Sequence, residues 1–183
     1  EDLLTEPMRS PPAADATVVA RLRAAGAIVL GKLNLSEFAF GGTVTFPFGQ
    51  PRNPWNLDHQ PGGSSGGSGV ATAAALAAFT LGEDTGGSIR GPAAANGVVG
   101  LRPTFGRVSR FGGVMYAWTG DTIGPVTRTV EDNALFLGVI AGWDERDSLT
   151  SRRAVRDYRA TLSADLNGMR LAVVTEMMWP DGM

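Results

Sequence analysis

Apolar positions along this chain fall into short, separate runs that predict alternating helices and strands. In ADATVVARLRAAG, Val18, Val19 and Leu22 share one helical face, Asp15 is placed to cap it and Gly26 to close it. The apolar run at 27–30 then reads as a short strand. NLSEFAF predicts a short helix, and residues 41–63, rich in Gly, Pro, Asn and aromatics, predict a long ordered loop. Residues 68–79 predict an Ala-rich helix with almost no polar face, which belongs in the middle of a domain. DTGGSIRGPAAANG reads as a Gly/Ser turn opening a second short helix, and VVGLRP reads as a strand. TVEDNALFLGVIAG predicts an amphipathic helix capped at Thr129 or a neighbour, RRAVRDYRATL a surface helix, and 171–174 a buried strand. Helices alternating with short apolar strands predict an α/β domain.

Composition narrows the chemistry. With 43% hydrophobic and 19% charged residues, 183 positions are enough for one domain with a real core. A net charge of −2 gives no basic stripe, so neither nucleic acid nor an anionic membrane is an expected partner. There is no cysteine, which excludes disulfides, thiolate metal sites and a cysteine nucleophile, and fits a cytoplasmic protein. The single histidine, His59, sits beside a Pro-Gly turn without companions at ligand spacing and reads as a surface residue, so no metal is expected. The chain starts at Glu1 and stops just after the strand expected at 171–174, which reads as an internal piece of a longer domain.

Two glycine-serine turns carry the chemistry. PGGSSGGSG at 61–69 has the composition of a flexible linker, yet it runs directly into the buried helix, where a spacer has no use. DTGGSIR follows, with Ser64 and Ser88 lying 24 positions apart. Free backbone N–H groups and the helix dipole at such turns stabilise negative charge. In DTGGS the N–H groups of Thr85, Gly86, Gly87 and Ser88 can converge on one point, as an oxyanion requires. Gly62–Gly66 satisfies G-x-S-x-G, but that nucleophile elbow needs its histidine after the serine, and His59 precedes it. The order His59, Asp84, Ser88 is chymotrypsin-like, but nothing resembling a β-barrel surrounds it. A P-loop would need a lysine at its end, and none is there. What survives is a serine nucleophile with a lysine base.

These residues resemble the amidase signature family. PGGSSGGSG followed by GEDTGGSIRGPAAANGVVGLRPTFGRVSR resembles the family's defining stretch, with GKLNLSEFAFG, RNPWNL and DTIGPVTRTVEDNALFL similar to its flanking blocks. The likeness implies residues 1–183 are part of an amidase signature domain, an α/β fold whose mixed sheet is covered by helices on both faces and is here incomplete. It implies hydrolysis of a carboxamide C–N bond in a small-molecule substrate, without a cofactor. By motif, Ser88 is the nucleophile that forms the acyl-enzyme, and Ser64, after a cis peptide at Gly63–Ser64, bridges it to a lysine. Residues 85–88 match the oxyanion hole, Asp84 and Arg90 pair to hold that turn, and Ser65 and Ser68 satisfy backbone groups. The family's base lies in a Lys-Asp motif ahead of the GKLN-like block. Lys32 is the only lysine and lies inside that block. Its place at the end of an apolar strand makes it a candidate base, but the resemblance gives it a supporting role and puts the true base ahead of Glu1. The chain alone is therefore expected to turn over little or no amide.

Two branches of the family fit. GRVSRFG with GDTIGP is similar to the glutaminase component of glutamyl-tRNA amidotransferases, which would bring partner subunits; free-standing amidases, with or without a homodimer, share most of the same residues. Thr122, where the amidotransferase component usually carries glutamine, leans toward a free-standing amidase. A truncated remnant or scaffold without activity is the third reading.

Overall fold

A computed structural model describes residues 14–40, 46, 48–163 and 165–172. Helix α1 runs Thr17–Ala24 and buries Val18 and Leu22, the face expected from the sequence. Asp15 does not cap it: the N-cap is Ala16, and Asp15 instead pairs with Arg23 at 3.0 Å. The cap position lies one residue beyond the carboxylate, so its oxygen serves a side chain rather than the helix end. Gly26 follows the helix with φ +87°, a conformation that costs glycine little. Residues 27–30 form no strand, and Ile28 and Leu30 are exposed. A strand needs a neighbour to take its backbone hydrogen bonds, and this segment pairs with none among the described residues. NLSEFAF holds one 3-10 turn, Glu37–Ala39.

Helix α2 (Gly66–Ala73) is shorter than the stretch 68–79 predicted. Ala75 turns the chain with φ +56°, and Arg128 donates to the carbonyl of Ala77 at 3.1 Å. Strand β1 (Phe79–Asp84) begins where helix was expected to end. Helix α3 (Arg90–Asn96) follows the DTGGS turn and closes on Gly97 in the left-handed region. Strand β2 is Val99–Gly100, and strand β3 is Thr122–Thr127. Helix α4 (Val130–Ile140) is capped by Thr129, whose hydroxyl accepts from the Asp132 N–H at 3.0 Å. The surface helix predicted from RRAVRDYRATL reduces to a 3-10 turn at Tyr158–Thr161. Arg107 explains the loss: it donates to the carbonyls of Arg153 (2.8 Å) and Ala154 (2.7 Å), acceptors that a helix there would need. The strand expected at 171–174 lies partly outside the described residues, and Leu171 is exposed. Residues 41–45 and 47 of the predicted long loop also lie outside them.

The sheet has the order β1-β3-β2, both pairings antiparallel, with Gly82 opposite Gly124 and Asp84 opposite Thr122. Alternation sorts its side chains between two helical layers. Phe79, Leu81 and Ile123 face the core of Val18, Leu22, Phe136, Leu137 and Ile140 from α1 and α4, joined by Val108 from the segment between β2 and β3. The Phe79 and Phe136 rings sit 4.2 Å apart. Thr80, Gly82 and Asp84 face the other way, toward α2 and α3. Helices thus cover both faces, as the α/β reading requires, although this portion of the sheet is wholly antiparallel.

Candidate active site

The site begins with β1, which is an edge strand among the described residues and would leave backbone groups unpaired along its outer side. The serines of the first loop fill that role. Ser65 Oγ accepts from the Glu83 N–H (3.1 Å) and donates to the Glu83 carbonyl (3.3 Å), and Ser68 Oγ donates to the Leu81 carbonyl at 2.7 Å. Their hydroxyls replace a neighbouring strand, and this pins the start of α2 to the sheet. Ser65 and Ser68 thus satisfy backbone groups, as the resemblance implied.

Ser64 is used differently. Its peptide bond to Gly63 is cis, its carbonyl accepts from the Ser36 N–H at 3.1 Å, and it is 1% exposed. Its hydroxyl has no hydrogen-bond partner among the described residues. A buried hydroxyl left unpaired is costly. The Ser65 N–H donates to the Ser88 carbonyl at 3.2 Å and joins the two serine loops. Ser88 is itself half-buried.

Asp84 organises the second loop. Fully buried, it accepts from the N–H groups of Gly87 (2.9 Å), Ile89 (3.1 Å) and Arg90 (3.3 Å), and from the Arg90 guanidinium at 3.0 Å through both oxygens. Arg102 adds a second cation at 3.3 Å. Burial alone would raise this carboxyl, but the Arg90 bonds and the backbone donors outweigh it and hold it below the usual carboxylate range. The pairing of Asp84 with Arg90 expected from the sequence is therefore present. The motif did not reveal that the Gly87 N–H is committed to Asp84. Thr85, Gly86 and Ser88 are the donors of the turn that this carboxylate leaves alone.

Ile89, the residue after Ser88, is completely buried against three strands. A Cβ at Gly82 would come within 2.8 Å of its side chain, one at Gly100 within 2.9 Å, and one at Gly124 within 3.1 Å. One glycine from each strand therefore opens the space that seats Ile89 and brings Ser88 close to the sheet. The RNPWNL block closes the far end of α3, with Trp55 Nε1 donating to Asn96 O (2.8 Å) and Asn53 Nδ2 to Ala95 O (2.7 Å).

Lys32 is exposed in a segment without regular structure, unlike a buried neutral base. His59 is also exposed. Thr122 is buried and donates to the Asp84 carbonyl at 2.9 Å, so its side chain supports the turn. Sequence reasoning missed Glu83 and Asp121. The Asp121 carboxylate accepts from Thr85 Oγ1 and from the N–H groups of Tyr116 (2.5 Å) and Ala117 (2.8 Å). Strand alternation around Thr85 would have pointed to both, had β1 and β3 been recognised. Among the described residues no group of three His, Asp or Glu could hold a metal ion, and no helix is long and apolar enough to cross a membrane.

The sequence profile described as Amidase matches residues 7–182. The first-lettered (A) component of glutamyl-tRNA(Gln) amidotransferase from Geobacillus thermodenitrificans is 56% identical over 168 residues, 91% of this chain and 35% of that protein. The crystal structure of the same component from Thermotoga maritima superposes with a TM-score of 0.78 at 47% identity, covering 82% of this chain and 34% of that one. Native peptide amidase from Stenotrophomonas maltophilia gives 0.75 at 52% identity, over 80% and 32% of the two chains. The chain thus spans about a third of the length of the relatives it matches.

Proposed function

The chain belongs to the amidase family, and from that premise we propose that it carries the acyl-transfer centre of an amidase. Ser88 Oγ attacks the carbonyl carbon of a carboxamide and passes its proton to Ser64, whose own proton goes to a basic side chain. The tetrahedral oxyanion is held by the N–H groups of Thr85, Gly86 and Ser88, with Asp84 fixing the turn through Gly87. The amine or ammonia leaves with a proton, and water then attacks the acyl-Ser88 ester to release the acid. The observation that carries this reading is the buried, unpartnered Ser64 hydroxyl in a loop hydrogen-bonded to Ser88. Lys32 is too exposed to be the desolvated base, so a base from elsewhere in the full protein completes the relay.

The test is labelling of the full-length protein with a fluorophosphonate probe, read by peptide mass spectrometry. A Ser88 adduct, lost in Ser88→Ala and slowed in Ser64→Ala, is the expected result. Labelling that survives Ser88→Ala would sink the assignment.

A second reading, glutaminase supply of ammonia within an amidotransferase, is supported by the 56% identity to the Geobacillus amidotransferase component. Thr122 does not weigh against it, because that side chain binds the Asp84 carbonyl. Hydrolysis of glutamine in preference to peptide and aryl amides, together with co-purifying subunits, would favour this branch.

A further inference from the structure

We propose that Glu83 and Asp121 share one proton as an acid–carboxylate pair, and that this pair positions Thr85, the first residue of the turn 85–88. The inference rests on the amidase reading for its consequence, though the pair itself stands on geometry. Asp84 opposite Thr122 is the last rung of the β1–β3 ladder. Just beyond it Thr85 donates its hydroxyl to Asp121, and continuing the register puts Glu83 diagonally across from Asp121 on the same side of the sheet. Asp84 and Thr122 point to the opposite side. The three side chains therefore form a group that the Asp84 network does not touch.

Asp121 is fully buried, and its three donors are Thr85 Oγ1 and the N–H groups of Tyr116 and Ala117. Glu83 has a buried carboxyl oxygen, Oε1, with no hydrogen-bond partner among the described residues. Two ionised carboxylates in this position would repel, whereas a protonated Glu83 donates to Asp121. Burial first, and Asp121 second, push the Glu83 carboxyl up to about 7. Arg110 is the cation that opposes this rise. It is largely committed elsewhere, bonding Asp147 at 3.0 Å and the Trp118 carbonyl at 2.6 Å. Arg102 reaches the neighbouring Gly120 carbonyl at 2.7 Å and pairs with Asp84 on the other side of the strand.

Glu83 thereby connects both serine loops. Its backbone is bonded in both directions to Ser65, the neighbour of Ser64, while its side chain lies on the sheet face that carries Asp121, the carboxylate that holds Thr85. When the proton leaves to solvent at higher pH, two negative charges remain beside Thr85 and push the pair apart. Glu83 is a positioning residue: it acts on the oxyanion turn through Asp121 and touches no reacting atom.

The experiment compares wild type and Glu83→Gln in the full-length protein across pH 6 to 8.5, reading kcat/KM for amide hydrolysis and the thermal midpoint. Gln keeps a neutral donor to Asp121 at every pH. The ratio of variant to wild-type kcat/KM should rise at least about threefold across that range, with the thermal midpoints diverging in the same direction. A ratio and a midpoint difference that both stay flat overturn the pair. Ser88→Ala judges the amidase reading separately: if it remains active that reading fails, and the pair is decided by the thermal midpoints alone. If Glu83→Gln does not fold, 13C NMR of the wild-type carboxyl decides. Titration near 7 supports the shared proton, and titration near 4.5 rejects it.

Discussion

The Ser65 N–H donates to the Ser88 carbonyl at 3.2 Å, so the residue after Ser64 holds the backbone of the second serine loop. Ser65 also holds Glu83 through its hydroxyl, and the two loops and the edge of β1 meet at this one side chain.

Replacing Ser65 by Ala removes two hydrogen bonds and leaves the Glu83 N–H and carbonyl unpaired at a closed edge. We expect a loss of about 1–3 kcal/mol in urea unfolding, with slower fluorophosphonate labelling at Ser88. Ser68→Ala, which frees only the Leu81 carbonyl, should cost less. Equal costs for the two would contradict the edge-pinning role of Ser65.

Asp84 is a buried anion that three backbone donors and two arginines neutralise. Asp84→Ala leaves Arg102 and the turn amides without their acceptor, and a loss of about 3–5 kcal/mol is expected from breaking such a buried pair. Arg90→Ala should cost much less, because the exposed Arg90 can be replaced by water. Chemical denaturation of both variants checks the order.

Gly124 admits no side chain. A Cβ there would lie 2.2 Å from the Leu101 carbonyl and 3.1 Å from Ile89. Gly124→Ala must move backbone, at about 1–3 kcal/mol, and should shift Ile89 and slow Ser88 labelling. Gly138→Ala, which meets nothing within 4 Å, is the control and should be neutral or stabilising. Similar loss in both variants would refute the seat for Ile89.

Two groups of acids pull stability in opposite directions with pH. Asp84, Asp144 and Asp147 are held below their ordinary 3.8 because hydrogen bonds and arginines outweigh burial. Their contribution is complete above that value and is lost as pH falls through the lowered one. Glu83 is raised from 4.5 to about 7, so its contribution is complete below 4.5 and is lost as pH rises through 7. Unfolding free energy should therefore peak at about pH 4, between the ordinary 3.8 of the aspartates and 4.5 of Glu83, and decline on both sides. A plateau from pH 5 to 8 would contradict the Glu83 part.

Some of this was legible in the order of residues alone. The α1 face of Val18 and Leu22, Gly26 after α1 and the Thr129 cap are local matters, set within one or two turns of chain. So were the two glycine-serine turns, whose composition has few uses next to a buried helix. The pairing of Asp84 with Arg90 joins residues only six apart and followed from the motif.

Of the strands, only β2 within VVGLRP was legible, and β1 and β3 were not. FTLGED continues an alanine-rich run whose apolar residues suit a helix or a strand equally, and only its pairing with 122–127, some forty residues on, makes it β1. The run at 27–30 looked more like a strand but finds no partner among the described residues. Because the alternation of β1 and β3 was unseen, Glu83 and Asp121 could not be placed beside Thr85. Sequence thus determined the two glycine-serine turns and the helices whose signals are local. Tertiary structure decided that the runs at 79–84 and 122–127 are strands, which donors of the turn Asp84 takes, and on which face the buried carboxyls lie, because backbone pairing and charge burial depend on partners distant in the chain.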